Sequence, residues 1–189
     1  MTMPTRSAGW GVGADGSAVT WAVAEGRRGR RWREVVTRGV AVIHSLLLET
    51  DADGRFSHLE LARADGLWTF HPEPDGTLHG NHVDGRAEPG VRHVVGWPFG
   101  PDDEIVVEGS RISLAAVAWR YASTMTEGSA VALAGVVIRS DGELAQVPGL
   151  RIERVSRTTW RVGEGRPFEL DETGLPVLRD GATRPLDVG

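Results

Sequence analysis

HLELARADGLWTFHPEPDGTLHGNHVDG, from His58 to Gly85, alternates apolar and polar residues and is interrupted at Asp65-Gly66 and Asp75-Gly76. A two-residue period broken by turn residues is the pattern of short antiparallel strands. A turn at Ala64-Asp65 that pairs Ala62 with Leu67 sets Leu61 against Trp68 and Leu59 against Phe70. Both are good apolar cross-strand pairs. The next hairpin, through Pro72–Gly76, then places His71 beside His79 and Thr69 beside Asn81. One sheet face therefore carries His58, Glu60, Thr69, His71, His79 and Asn81, and His93 can extend the row.

Outward from this stretch the same punctuation continues. Asp-Gly occurs seven times, and the four copies between residues 53 and 85 stand 9 to 12 residues apart, a spacing for a meander rather than for βαβ units. Strand-like segments are Ala18–Ala24, Arg33–Thr37, Val40–Glu49, Phe56–Ala62, Leu67–Pro72, Thr77–Val83 and Val91–Trp97. Glu104–Val107, Ala130–Ile138, Glu143–Val147, Leu150–Val155, Thr159–Val162 and Phe168–Leu170 follow. Ser110–Ser123 has Ile112, Ala115, Ala116 and Trp119 at helical spacing, and a strand reading fits it nearly as well. The expected fold is all-β: one domain over residues 1–189, an antiparallel meander curled into a β-roll or partly open barrel. At most one short helix lies near 110–123, and the Gly- and Pro-rich stretch 163–189 reads as a loosely packed tail.

Composition removes several chemistries. The chain has 189 residues, no cysteine and no lysine, all 21 basic residues being arginine. Disulfides, thiol catalysis, Cys-ligated metals, Schiff bases and a P-loop lysine are excluded. The net charge of -5 repels nucleic acid and anionic membrane. The N-terminus lacks an apolar signal core and no stretch is long enough to span a membrane, so the expectation is a soluble, cytoplasmic protein. Arg27, Arg28, Arg30, Arg31 and Arg33 form the only basic run and read as a solvated loop, not a nucleic-acid site. Gly11-Val-Gly13-Ala-Asp-Gly16 matches a dinucleotide fingerprint by letter but lacks its βαβ setting, and reads as a Gly-rich turn. No nucleophile elbow is present, and no cofactor is called for.

Three uses of the histidine face stay open: a polar ligand-facing surface, a metal site, or a plain wet sheet face. His44, on a stripe with Val40, Val42, Leu46 and Leu48, reads as a hydrogen-bonded core histidine, and His79 and His82 point to opposite faces. Trp21, Trp68, Trp119 and Trp160 read as core, while Trp97-Pro98-Phe99 reads as a rim contact for an apolar group or as a buried anchor.

The layout resembles the family described as glycolipid-binding, which has a spiral β-roll fold and similar length. HLELARADGLWTF (His58–Phe70), TLHGNHVD (Thr77–Asp84), VAWRY (Val117–Tyr121) and SDGELAQVPGL (Ser140–Leu150) carry the resemblance, over roughly residues 32–155. It implies binding of a lipid or glycolipid and transfers no functional residue. The combined expectation is non-enzymatic binding of an amphipathic small molecule in a β-roll groove. His58, Glu60, His71, His79 and Asn81 would meet the head group, and Trp97 and Phe99 the apolar part. The alternatives are an enzyme using the histidine face, with or without zinc, and an interaction domain with no small ligand. An uncovered edge strand or the Leu46–Leu48 stretch could serve a homodimer.

Overall fold

A computed structural model describes residues 5–13, 15–85, 90–140 and 142–185. Strand accounts for 60% of the chain against one short helix, which makes the class all-β. The chain forms two compact units. One runs to Pro101 and takes in the chain again from Leu178; the other spans Asp102–Val177.

The first unit is a nine-stranded antiparallel sheet curled into a half-barrel. Its strands are β1 Thr5–Val12, β2 Ala18–Gly26, β3 Gly29–Arg38, β4 Ala41–Thr50, β5 Phe56–Arg63, β6 Gly66–Pro72, β7 Thr77–Asp84 and β8 Val91–Pro98. They lie side by side in chain order, and a last strand, Arg179–Pro185, pairs with β1. Alternate residues of each strand face the core, where Trp21, Trp32, Leu46, Leu59, Leu61, Trp68, Phe70 and Leu78 are all at most 4% exposed. Their burial supplies the driving force for the meander, on the order of 2 kcal/mol per large side chain. Within this apolar layer Glu34 and His44, 1% and 4% exposed, share a hydrogen bond of 2.9 Å. His44 is thus a bonded core histidine, buried with Leu46 and Leu48, whereas Val40 and Val42 of the expected stripe are exposed, past a shift in the β3–β4 register.

Turn chemistry explains the punctuation. At residues 51–55 and again at 73–77, the first residue's N–H bonds the fifth carbonyl, and the glycine's N–H bonds the first carbonyl. Gly54 and Gly76 sit at φ 79° and 80°, so the Asp-Gly pair closes a five-residue loop that needs a left-handed glycine at its end. The hairpin at Ala64-Asp65 is tighter, and there a Cβ on Gly66 would meet the Val83 oxygen at 2.2 Å.

Three readings are corrected. The arginine run is not a loop: only Arg27 and Arg28 lie in the turn, and β3 begins at Gly29. Arg30 is 8% exposed, bonds Glu25 at 2.6 Å and stacks over Trp32, while Arg31 bonds Glu49 at 2.6 Å. Acidic partners from the same hairpin and from the next strand pair with Arg30 and Arg31, so a sheet can hold this part of the run. The stretch around Gly11 is not only a turn, since β1 precedes it and extends the sheet. Leu46 and Leu48 are 1% and 2% exposed, so both are spent inside the chain and neither is free for a partner copy.

The second unit contains β9 Glu104–Val107, α1 Arg111–Tyr121, β10 Ala130–Ile138, β11 Leu144–Arg154, β12 Thr159–Val162, β13 Phe168–Leu170 and β14 Pro176–Val177. The six strands run in the order β14-β13-β12-β11-β10-β9. Within 110–123 the helical reading holds, over Arg111–Tyr121, capped by the Ser110 hydroxyl, which accepts from the Ser113 N–H. The helix is needed for topology: β9 and β10 pair in parallel, and a parallel pair requires a crossover. Phe168, Leu170 and Leu175 are 7%, 3% and 4% exposed, so this part of the Gly- and Pro-rich stretch is packed. Among the described residues no helix is long and apolar enough to cross a membrane.

Glu104 ties β9 to the end of α1. Its Oε1 accepts from Arg120 Nη1 at 2.6 Å and from the Tyr121 hydroxyl at 2.9 Å, and the residue is 3% exposed. Burial outweighs the arginine and pushes the carboxyl from 4.5 up to about 7. A raised folded-state pKa means that the group stabilises the fold below 4.5 and that this contribution is lost as pH rises through about 7. Denaturant midpoints should therefore fall between about pH 5 and about pH 8. In Glu104→Gln, which keeps an acceptor but cannot ionise, that fall should be largely removed; an unchanged pH profile would refute the assignment.

Candidate functional site: the outer face of the nine-stranded sheet

Residues directly opposite one another in neighbouring strands share a face, so the pairing register defines the outer surface row by row. Glu60 pairs with Thr69, Thr69 with Asn81, Asn81 with His93, and His71 with His79. The pairings of Glu60 with Thr69, Thr69 with Asn81 and His71 with His79 expected from sequence are therefore present, while the β5–β6 register stops at Leu59 and Phe70, short of His58. His79 lies on the outer face and His82 on the core face, where its ring stacks on Trp68 at 3.9 Å.

The full outer face has two characters along the strand direction. One row runs Ala8, Ala22, Arg33, Leu47, Glu60, Thr69, Asn81, His93 and is mostly polar. Two residues further along each strand, the row is Trp10, Thr20, Val35, Ser45, Ala62, Leu67, Val83, Val91. This apolar row crosses eight strands, roughly 34 Å at the usual strand spacing. Trp10, Leu67, Val83 and Val91 are 51%, 38%, 38% and 56% exposed. Beyond it Val42 pairs with Thr37 on the same face, 56% exposed, beside the open hairpin tip at Val40. Sequence inspection of β5 to β8 finds the histidines but misses this apolar row. Its members look like ordinary strand residues until eight registers are laid side by side.

Where the two rows meet, a shallow groove of about 190 Å³ is lined by Arg33, Val35, Ser45, Leu47, Glu60, Ala62 and Leu67. The Arg33 guanidinium has no ion-pair partner among the described residues. Glu60 Oε1 bonds His58 Nε2 at 3.2 Å, His71 Nε2 bonds Glu73 at 2.9 Å, and His93 Nδ1 bonds the Asn81 amide oxygen at 2.7 Å. Each of these three imidazoles is thus turned to its own neighbour. The His71 and His79 ring centres stand 6.3 Å apart and tilted. Among the described residues no three His, Asp or Glu side chains are placed to hold a metal ion.

The two aromatic candidates do not join this face. Phe99 is 4% exposed with its ring edge on Phe56, 5.7 Å between centres, which makes it a core anchor. Trp97 pairs with Leu78, whose side chain is fully buried on the core side.

The chain is thus an all-β protein with a curled antiparallel sheet whose outer face is divided into an apolar and a polar band. No protein-family model matches it, and neither does any curated protein. Among solved structures it is similar to a DUF1089 family protein from Pseudomonas aeruginosa, at 14% identity and a TM-score of 0.52, over 84% of this chain and 86% of that one. At that identity the likeness concerns the fold alone.

Gly80 holds β6 and β7 at the spacing that sets this face. A Cβ there would meet the Phe70 ring at 2.5 Å and the Thr69 carbonyl at 2.6 Å. Gly80→Ala should destabilise the protein by about 2 kcal/mol in chemical denaturation, because backbone and a fully buried ring must both move. A cost near zero would show that the two strands are not packed this tightly.

Proposed function

We propose that the chain is a binding protein without chemistry of its own, holding an amphipathic small molecule, a lipid or glycolipid, across the outer face of the nine-stranded sheet. The observation that carries this reading is the adjacency of an eight-residue row, apolar but for Thr20 and Ser45, to a polar row, with a groove at their border. An exposed apolar surface of that length is costly in water unless something covers it for part of the time. The apolar body of the ligand lies along Ala62, Leu67, Val83 and Val91. Its polar head meets Arg33, the His58–Glu60 pair, His71, His79 and Asn81. Arg33 suits the acidic or hydroxyl-rich groups of such heads, because its fork of donors has no carboxylate among the described residues to satisfy it. The resemblance of residues 32–155 to the glycolipid-binding family points to the same ligand class.

Monomeric octyl glucoside, below its micelle concentration, is a suitable probe followed by amide chemical shifts. Perturbations should concentrate on Val35, Leu47, Ala62, Leu67 and Asn81. Leu67→Glu, which puts a charge on the apolar row, should weaken binding by about tenfold or more, and alanine at His71 and His79 together should weaken it as well. Shifts elsewhere, or affinity indifferent to all three substitutions, would refute this placement.

A further inference from the structure

The second unit contains a cavity of its own, lined only by residues between 119 and 174. It measures about 420 Å³, within the usual range of small-molecule pockets. Trp119 and Ala122 from the end of α1, Trp160 from β12 and Leu170 from β13 give it an apolar lining. Trp160 and Leu170 are 2% and 3% exposed. The Trp119 wall is fixed by Gly174, at φ 78°, where a Cβ would lie 2.1 Å from the indole.

One cation lining this cavity has no anion to match it. Arg154 stacks over Trp160 at 5.3 Å, and its Nη1 donates to the main-chain oxygens of Ala122 and Met125 at 2.9 and 2.6 Å. Nη2 makes a single exposed contact of 3.3 Å to the Arg157 oxygen, and Nε has no partner. No carboxylate pairs with it among the described residues, so its charge is met only by neutral carbonyls and a ring. The two acids that line the cavity are already engaged. Asp171 Oδ1 accepts from Thr173 N, Thr173 Oγ1 and Leu175 N, and Glu172 pairs with Arg157.

We propose that this pocket is a second ligand site, taking a small monocarboxylate with a flat or branched apolar body. The apolar lining receives the body, and the carboxylate supplies Arg154 with the anion it lacks. Nη2 has an N–H to spare for that contact. A dianion such as inorganic phosphate fits poorly, because Asp171 and Glu172 stand within the same lining and repel a second negative charge.

Calorimetric titration of the full chain with benzoate and 3-methylbutanoate tests the assignment, with benzyl alcohol as the neutral control and inorganic phosphate as the dianion. At least one carboxylate should bind with a millimolar or lower dissociation constant, and the alcohol and phosphate at least about tenfold more weakly. Arg154→Gln should erase the preference for carboxylate over alcohol. Because that change also removes bonds to Ala122 and Met125, Ala122→Leu provides a second arm: it fills the cavity from the helix end and should abolish binding while the fold is retained. Leu67→Glu on the sheet face should leave carboxylate binding untouched, which separates this site from the proposed amphipathic one. No saturable heat from either carboxylate, equal binding of alcohol or phosphate, or binding that survives Ala122→Leu would overturn the assignment.

Discussion

The pairing of Leu59 with Phe70 and of Leu61 with Trp68 is the constraint on which the first unit depends. Side chains alternate faces with period two, so a slip of one residue at the β5–β6 hairpin would turn Leu59 and Leu61 to solvent and the histidines inward. Four side chains that are at most 2% exposed make that slip prohibitive. Gly66 secures the hairpin from the other end, because only glycine fits against the Val83 carbonyl there. Once this register is set, each further strand inherits its parity from the one before, and both bands of the outer face follow.

This is also why so much was legible from the chain itself. Residues 58–85 contain two complete hairpins with unambiguous apolar partners, and their register and the facing of His58, Glu60, Thr69, His71, His79 and Asn81 could be worked out by counting. Strand β1 was hidden because Arg6-Ser7-Ala8-Gly9 offers little alternation, and it owes its place to backbone pairing with β2 on one side and Arg179–Pro185 on the other. The arginine run misled for a different reason. Charge density argues for a loop only when no acid lies across the strand, and Glu25 and Glu49 become partners only after the strands pair. The helix was ambiguous since it is apolar nearly all round, with Ile112, Ala115, Ala116, Val117 and Ala118 all buried. A segment without a polar face carries little periodic signal.

The candidate sites divide along the same line. Polar members of the sheet face stand out by residue type, whereas the apolar row is defined only by eight strands in register. The pocket beside Trp119 and Trp160 draws on the end of a helix, three strands and two turns spread from residue 119 to residue 174. No local pattern joins those positions. The tryptophans read as core from the sequence, which Trp160 is; no sequence signal places Arg154 over that ring, with no acid among the described residues to pair with it.

If the divided outer face of the sheet holds an amphipathic molecule, native mass spectrometry of untagged protein purified without chelator will detect it. The expected result is a co-purifying mass in the lipid or glycolipid range that is lost from Leu67→Glu while the protein stays folded. A bare protein mass, or a bound mass that Leu67→Glu retains in full, would contradict it.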